Sequence, residues 1–368
     1  MDSQKLTVAV SIADYCFERT RTIGQMNVAL GLIKALASRP EIERLVILKN
    51  STIPAPVKKE NIEYLDCDIA IKGKIARIYW DQVGLYQKVK KLGVQWLLLP
   101  KGFASFILKP PVKLAAYIHD AVPDYYQTHY PDNFSQLELF YFNTAMKASF
   151  KNSSLLFTNS EFVVSEINRL CKKWSVQVSI PVVCLGIGFD RPETIAKTKN
   201  GRIFALVSKW RHKRSELLIE YLKRWQTAQR SQNGIDFVGD LPDGLQFPQM
   251  DGWKHYTRLP EPEYRIMFNQ ASTLIYFSEY EGFGMPPVEA AICGVCPLYS
   301  NIPALKEVML GCGFSFDNYD FDDFSKKLNL SLQISIDQII SWGEILLKFH
   351  NWESKARILI DSLKNKPR

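Results

Sequence analysis

Along the first half of the chain, short apolar runs rich in β-branched residues alternate with longer segments whose apolar positions recur at helical spacing. Such alternation is the pattern of strand and helix units building a parallel sheet. It predicts strands over 6–12, 45–48, 95–99, 114–118 and 155–158, and helices over 25–38, 77–92, 134–150 and 161–172. The pattern pauses over 185–201, which holds three glycines and one proline, and then begins again. Strands follow over 202–208, 235–239, 273–277 and 296–299. Helices follow over 214–230, 261–269, 286–292, 304–309 and 322–330, with a closing helical stretch over 336–363.

At 368 residues the chain is too long for one ordinary core and fits two domains. The expected fold class is α/β, with two facing Rossmann-like domains and an interdomain cleft. The expected division is 1–188, 189–340 and a C-terminal helical segment, 341–368, able to pack back on the first domain. Open sheets of this kind bind ligands at the carboxyl ends of their strands.

Composition narrows the class without naming it. With 46% hydrophobic and 23% charged residues, neither disorder nor a fibrous chain is indicated. No apolar run reaches the ~18 residues of a membrane-spanning helix, and residues 1–5 lack the zones of a secretory signal, so a cytoplasmic location is expected. Seven scattered cysteines, an odd number, agree with a reducing compartment. Cys293 and Cys296 have a metal-like spacing but no second ligand pair nearby, which favours buried thiols over zinc.

Charge is more informative. Of the net +8, residues 1–200 carry 26 Lys+Arg against 18 Asp+Glu, whereas 201–368 carry 20 of each. The excess is densest over 70–118, where Lys72, Lys74, Arg77, Lys88, Lys90, Lys91, Lys101, Lys109 and Lys113 stand against Asp81 alone. Such a patch suits phospholipid headgroups or nucleic acid, unless it is simply solvated. Tyr79, Trp80, Tyr86 and Trp96 within it are core candidates, and no nucleic-acid motif accompanies them. Peripheral contact with an anionic membrane, and no nucleic acid, is the expectation.

The chemistry concentrates in Ser278-Glu279-Tyr280-Glu281-Gly282-Phe283-Gly284-Met285-Pro286-Pro287-Val288-Glu289, directly after the strand over 273–277. It reads as strand, glycine loop and a helix opened by proline, since Pro286 suits a first turn whose N–H has no intrahelical partner. The amides of Gly282, Phe283, Gly284 and Met285 would lie at the positive end of that helix, a ready anion site. Glu289, about one turn in, could accept hydrogen bonds from a ribose diol. Glu281 could reach another part of the same ligand.

The segment resembles the E-x7-E signature of the family 4 retaining glycosyltransferases, through the Ala290-Ala291-Ile292-Cys293-Gly294 that follows. The likeness extends to 300–308, to 259–268 and to 207–222, where Lys213 takes the place of the family's phosphate lysine. Overall it is strong over 202–308 and patchier over 6–188. The resemblance implies the GT-B architecture, with 1–188 as acceptor side and 189–340 as donor side. It gives Glu289 the nucleotide ribose and gives Glu281, Phe283 and Gly284 the donor sugar and phosphates. The companion arginine is replaced by a denser basic run, so Lys209 or Arg211 would fill its place. Tyr117-Ile118-His119-Asp120 resembles the acceptor-side histidine motif, and Gly24 the loop glycine beside the donor phosphate, although Thr22, Ile23 and Gln25 depart from the usual neighbours. His119, Lys213 and Glu281 are thus the expected catalytic group.

The implied reaction transfers a glycosyl group from a nucleoside-diphosphate sugar to a glycan or lipid-linked acceptor, with retention and without a metal or other cofactor. The stretch 119–131 resembles bacterial transferases that build surface polysaccharides, often with mannose- or rhamnose-type donors. The rivals are an epimerase or phosphorylase of the same fold, a nucleic-acid binding module, and a metal-dependent transferase using Asp66-Cys67-Asp68 or Asp320-Phe321-Asp322.

Overall fold

Buried parallel strands have both faces covered and therefore read as unbroken apolar runs. The computed structural model, which describes residues 5–16, 23–177 and 180–365, contains thirteen such or related strands in two all-parallel sheets. The first holds β1 (Leu6–Ser11), β2 (Ile42–Lys49), β3 (Ile62–Asp66), β4 (Trp96–Leu99), β5 (Lys113–Ile118), β6 (Leu155–Thr158) and β7 (Val182–Cys184), in the order 3-2-1-4-5-6-7. The second holds β8 (Ile203–Leu206), β9 (Ile235–Val238), β10 (Trp253–Tyr256), β11 (Thr273–Tyr276), β12 (Cys296–Ser300) and β13 (Phe314–Phe316), in the order 10-9-8-11-12-13. Both orders are those of a Rossmann sheet, with the switch point between β1 and β4 in one and between β8 and β11 in the other.

The helices of the first unit are α1 (Ile23–Ala37), α2 (Lys74–Tyr79), α3 (Leu85–Val89), α4 (Val122–His129), α5 (Gln136–Asn152) and α6 (Glu161–Trp174). Those of the second are α7 (Ser215–Gln229), α8 (Glu261–Gln270), α9 (Met285–Ile292), α10 (Pro303–Met309), α11 (Phe321–Gln333) and α12 (Ile336–Phe349); α13 (Trp352–Lys364) belongs to the first. A π-helical turn, Trp80–Gly84, joins α2 to α3.

The chain divides into Met1–Phe189 with His350–Arg368, and Asp190–Phe349. The expected boundary at 340 falls inside α12, which stays with the second unit because Gly343 lets it lie against the Ala291 carbonyl of α9. The helical stretch expected over 336–363 consists of two helices, separated at His350 and Asn351. There Phe189 N–H donates to the His350 carbonyl (2.9 Å), and the Asn351 side chain caps α13 by accepting from Ser354 N–H (2.8 Å). Trp352 then packs over Gly31 of α1 and Gly188, two places where a Cβ would collide with its ring.

Each core has its own aromatic filling. Phe237, Phe277, Phe316, Phe324 and Trp225 close the second, while Trp80, Tyr86, Leu97 and Leu114 pack in the first. Trp80, Tyr86 and Trp96 are buried, and Tyr79 is exposed. Among the described residues no helix is long and apolar enough to cross a membrane.

Candidate functional site

At the switch point of the second sheet, the loops leaving β8 and β11 are fastened together. Arg211–Lys213 forms a 3-10 turn, and Arg214 then takes a left-handed conformation (φ 47°) before α7 begins. Ser215 closes this loop by accepting from Ser208 N–H and donating to Ser208 O, both at 2.8 Å. Across the gap, Glu279 N–H donates to His212 O (2.7 Å), Ser278 N–H to Ser300 Oγ (2.8 Å) and Asn318 Nδ2 to Ser278 O (2.8 Å).

This stitching brings four charges together in two pairs. Lys213 Nζ forms an ion pair with Glu281 Oε1 and donates to the Tyr276 hydroxyl at 2.6 Å; Tyr276 in turn donates to Glu281 at 2.8 Å. Nζ also lies 4.5 Å from the centre of the Tyr276 ring. One position further on, Arg214 Nε stands 3.6 Å from Glu279 Oε1, and the guanidinium lies over the ring of Tyr319, whose hydroxyl reaches the same carboxylate. Burial by itself would raise the Glu281 carboxyl, but its neighbours, Lys213 foremost, together outweigh burial and hold the group below the ordinary glutamate value. His212 between them is pushed down to about 3 by burial and by Lys213, so it is neutral.

Gly284 caps α9 with φ 87°, and a Cβ there would stand 2.2 Å from Leu305 Cδ2. Only glycine fits. The helix begins at Met285, one residue before Pro286, so its amino terminus adjoins the Gly282–Gly284 turn as expected. Gly282, Phe283 and Gly284 are buried and Met285 is half-buried. Glu289, one turn into α9, is half-buried, and burial pushes its carboxyl up to about 7, opposed by Arg265 and reinforced by Glu261. The charges of Glu281 and Glu289 both bear on Tyr276, whose hydroxyl burial drives well above its ordinary value.

The sequence-predicted residues thus fall into two groups. Lys213, Glu281, Gly282, Phe283, Gly284, Met285 and Glu289 converge at this switch point, while Lys209 and Arg211 are exposed on the same loop. Gly24 and His119 belong to the first unit. Gly24 is not in a loop: it lies in the first turn of α1, exposed, with nothing within 4 Å of where a Cβ would stand. Its neighbour Thr22 is outside the described residues. His119 follows β5 and is buried; its Nε2 lies 2.6 Å from Pro100 O, and burial lowers it to about 4.

Tyr276, Arg214 and Glu279 received no role from the sequence. Arg214 stood in a basic run whose members look alike without coordinates, and Tyr276 ends a strand whose four residues are all buried, where periodicity carries no signal. Three of the Asp-x-Asp carboxylates have partners within the protein. Asp66 pairs with Lys49 (2.6 Å), Asp68 accepts from Ser51 N–H (2.7 Å), and Asp320 caps α11 by accepting from Asp322 and Asp323 N–H. Cys293 and Cys296 are free thiols, and among the described residues no three His, Cys, Asp or Glu side chains cluster as metal ligands would.

Residues 189–338 match the family described as glycosyl transferases group 1. The second unit is thus similar to a group 1 glycosyltransferase domain over nearly its whole length. The charged cluster lies within this matched stretch, between the carboxyl ends of its first and fourth strands. An O-antigen chain mannosyltransferase of Salmonella typhimurium is 27% identical over 255 residues, 67% of this chain and 66% of that protein. O-antigen chain mannosyltransferase B of Escherichia coli is 34% identical over 122 residues, 31% of each chain. The matched stretch is thus less than two thirds of either relative's length. Among solved structures, Anabaena HepE in complex with UDP and glucose is similar at a TM-score of 0.65 and 15% identity, over 98% of this chain and 99% of that one. Two Rossmann-like units in one chain, with the solved structures they resemble, fit the GT-B architecture.

Proposed function

We propose that this chain is a retaining, metal-independent glycosyltransferase of surface polysaccharide assembly, moving a hexosyl group from a nucleoside-diphosphate sugar to a glycan or lipid-linked acceptor. The observation that carries the reading is the Lys213–Glu281–Tyr276 cluster beside the amino terminus of α9, at a switch point inside the matched stretch. Charge develops on a diphosphate as the glycosidic bond breaks, and fixed cations stabilise it best where water is excluded. Lys213 is the cation held for that, with Lys209 and Arg211 exposed beside it to close on the diphosphate.

In the proposed step the sugar C1–O bond to the diphosphate breaks, and the acceptor oxygen bonds to C1 on the same face. A donor phosphate oxygen takes the acceptor proton, so the diphosphate leaves protonated and no external base is consumed. Glu289 accepts from the ribose hydroxyls, and Glu281 with the Gly282–Gly284 turn faces the sugar. His119, neutral at physiological pH, serves as a hydrogen-bonding group for the acceptor rather than as a cation. Mannose is the first sugar to test, because both curated relatives are named as mannosyltransferases.

A thermal-shift screen of GDP-mannose, UDP-glucose and related donors tests the reading, followed by turnover and NMR of the product's anomeric proton with and without chelator. Stabilisation by at least one donor, and a product of retained configuration made in chelator, is expected. Inverted configuration, or activity that chelator abolishes and manganese restores, would sink the proposed step.

A further inference from the structure

Among the described residues, eight of the fifteen exposed large apolar side chains fall within 69–140 of the first unit, including the two most exposed, Ile75 (84%) and Leu137 (81%), with Phe140 (65%) and Ile107 (61%). Ile75 with Ile78 and Tyr79 share one face of α2 by helical spacing, as Leu137 and Phe140 share one face of α5. The two helices and the 103–109 loop are neighbours: Lys74 Nζ meets Glu138 Oε1 at 3.2 Å, and Phe106 packs edge-on against Tyr141, ring centres 6.0 Å apart. The 103–109 loop is held there by Phe106 N–H donating to Gln82 Oε1 (2.9 Å).

Cations rim this apolar surface. Lys72, Lys74 and Lys109 are exposed and Arg77 is half-buried, whereas Glu138, the acid within the patch, is already paired with Lys74. Two members of the basic run over 70–118 drop out of any surface role. Lys101 is tied to Asp14 (2.6 Å) and Asp81 (2.8 Å), and Lys113 lies over the Trp96 ring. Apolar side chains projecting from a basic rim are the arrangement that inserts below anionic headgroups, each half supplying what the other lacks.

We infer that the α2, α5 and 103–109 surface docks on an anionic lipid bilayer, with Ile75, Ile107, Leu137 and Phe140 entering the headgroup boundary. This deepens the proposed function, in its lipid-linked-acceptor form, and rests on that reading for its purpose. The patch is also wired to the acceptor side of its sheet. Tyr141 donates to Asp81 (3.0 Å), Asp81 holds Lys101, and the neighbouring Pro100 carbonyl meets His119 at 2.6 Å. A docked bilayer would lie close to the group assigned to a lipid-linked acceptor.

Flotation of the full chain with phosphatidylglycerol-containing vesicles, against pure phosphatidylcholine, tests this. The wild type should float with the anionic vesicles and release as salt rises. The Ile75→Ser/Leu137→Ser/Phe140→Ser variant should bind at least ~10-fold more weakly, because each loses buried apolar area. Lys72→Glu/Lys109→Glu should lose the preference for anionic lipid. A matched control in the second unit, Ile266→Ser/Leu330→Ser/Ile345→Ser, should bind as wild type. Failure of the wild type to float, or equal binding by wild type and the first variant, overturns the inference, and so does equal loss in the control. Donor-induced thermal shift, measured on the same samples, reports the nucleotide site separately. A missing shift there would count against the enzyme reading and leave the vesicle result standing.

Discussion

Lys213 and Glu281 lie 68 residues apart in sequence, yet their charged ends form an ion pair between the loops that leave β8 and β11. Each side chain is under one-fifth exposed, so the pair is held where a lost partner is not replaced by water.

Removing one member should therefore cost more than removing both. Lys213→Met leaves a buried carboxylate uncompensated and is expected to lower stability by about 3 kcal/mol and kcat/KM by ~10²–10³. The double variant Lys213→Met/Glu281→Gln should recover most of the stability and none of the activity. Chemical denaturation and donor kinetics on Lys213→Met, Glu281→Gln and the double variant read out the cycle.

Glu289 makes stability depend on pH in an unusual direction for a carboxylate. With its pKa raised from 4.5 to about 7, the folded protein holds a proton that the unfolded chain has already lost. The contribution is fully present below 4.5 and falls as pH rises through 7, by about 1–3 kcal/mol in all. Glu289→Gln should flatten that part of the melting-temperature profile. A wild-type profile parallel to the variant's between pH 5 and 8 would contradict the assignment. Donor binding should release a proton below pH 7, seen as a buffer-dependent enthalpy.

His119, lowered to about 4, carries no charge change between pH 5 and 8. With Nε2–H donating to the Pro100 carbonyl, Nδ1 is the acceptor nitrogen. His119→Gln is expected to raise the acceptor KM about 10-fold or more while leaving the pH profile of kcat/KM for donor unmoved. A profile whose acidic limb near 6 disappears in the variant would show that the imidazole titrates during turnover.

Gly343 of α12 offers a test remote from the cluster. A Cβ there would stand 2.6 Å from the Ala291 carbonyl, forcing α12 away from the helix that carries Glu289. Gly343→Ala should destabilise the protein by about 1–3 kcal/mol and weaken donor affinity, whereas alanine at the open, exposed Gly24 should change stability by less than ~0.5 kcal/mol. Unfolding curves and donor titration separate the two.

The strands show where sequence reading stops. All nine inner strands of the two sheets were legible, from Leu6–Ser11 to Cys296–Ser300, because burial on both faces demands continuous apolar residues. The strands without a signal, β3, β7, β10 and β13, are the four edges. Ile62–Asp66 has no fully buried residue, and Trp253–Tyr256 has one, so their pairing is decided by a neighbour rather than by their own composition. Helix α4 was missed because Val122–His129 is polar and aromatic, with too few aliphatic positions to show a period.

By itself the sequence determined the units of the fold and the local geometry of the Gly282–Gly284 turn and the helix after it. Apolar runs, a glycine that alone fits at φ 87° and a proline inside the first helical turn are local demands, written where they act. Tertiary structure decided which charges meet. It chose Lys213 for Glu281 and Arg214 for Glu279, took Lys101 out of the basic surface, and set Lys74 of α2 beside Glu138 of α5. Charges and exposed side chains interact through space, and only the packing of distant strands and helices fixes those distances.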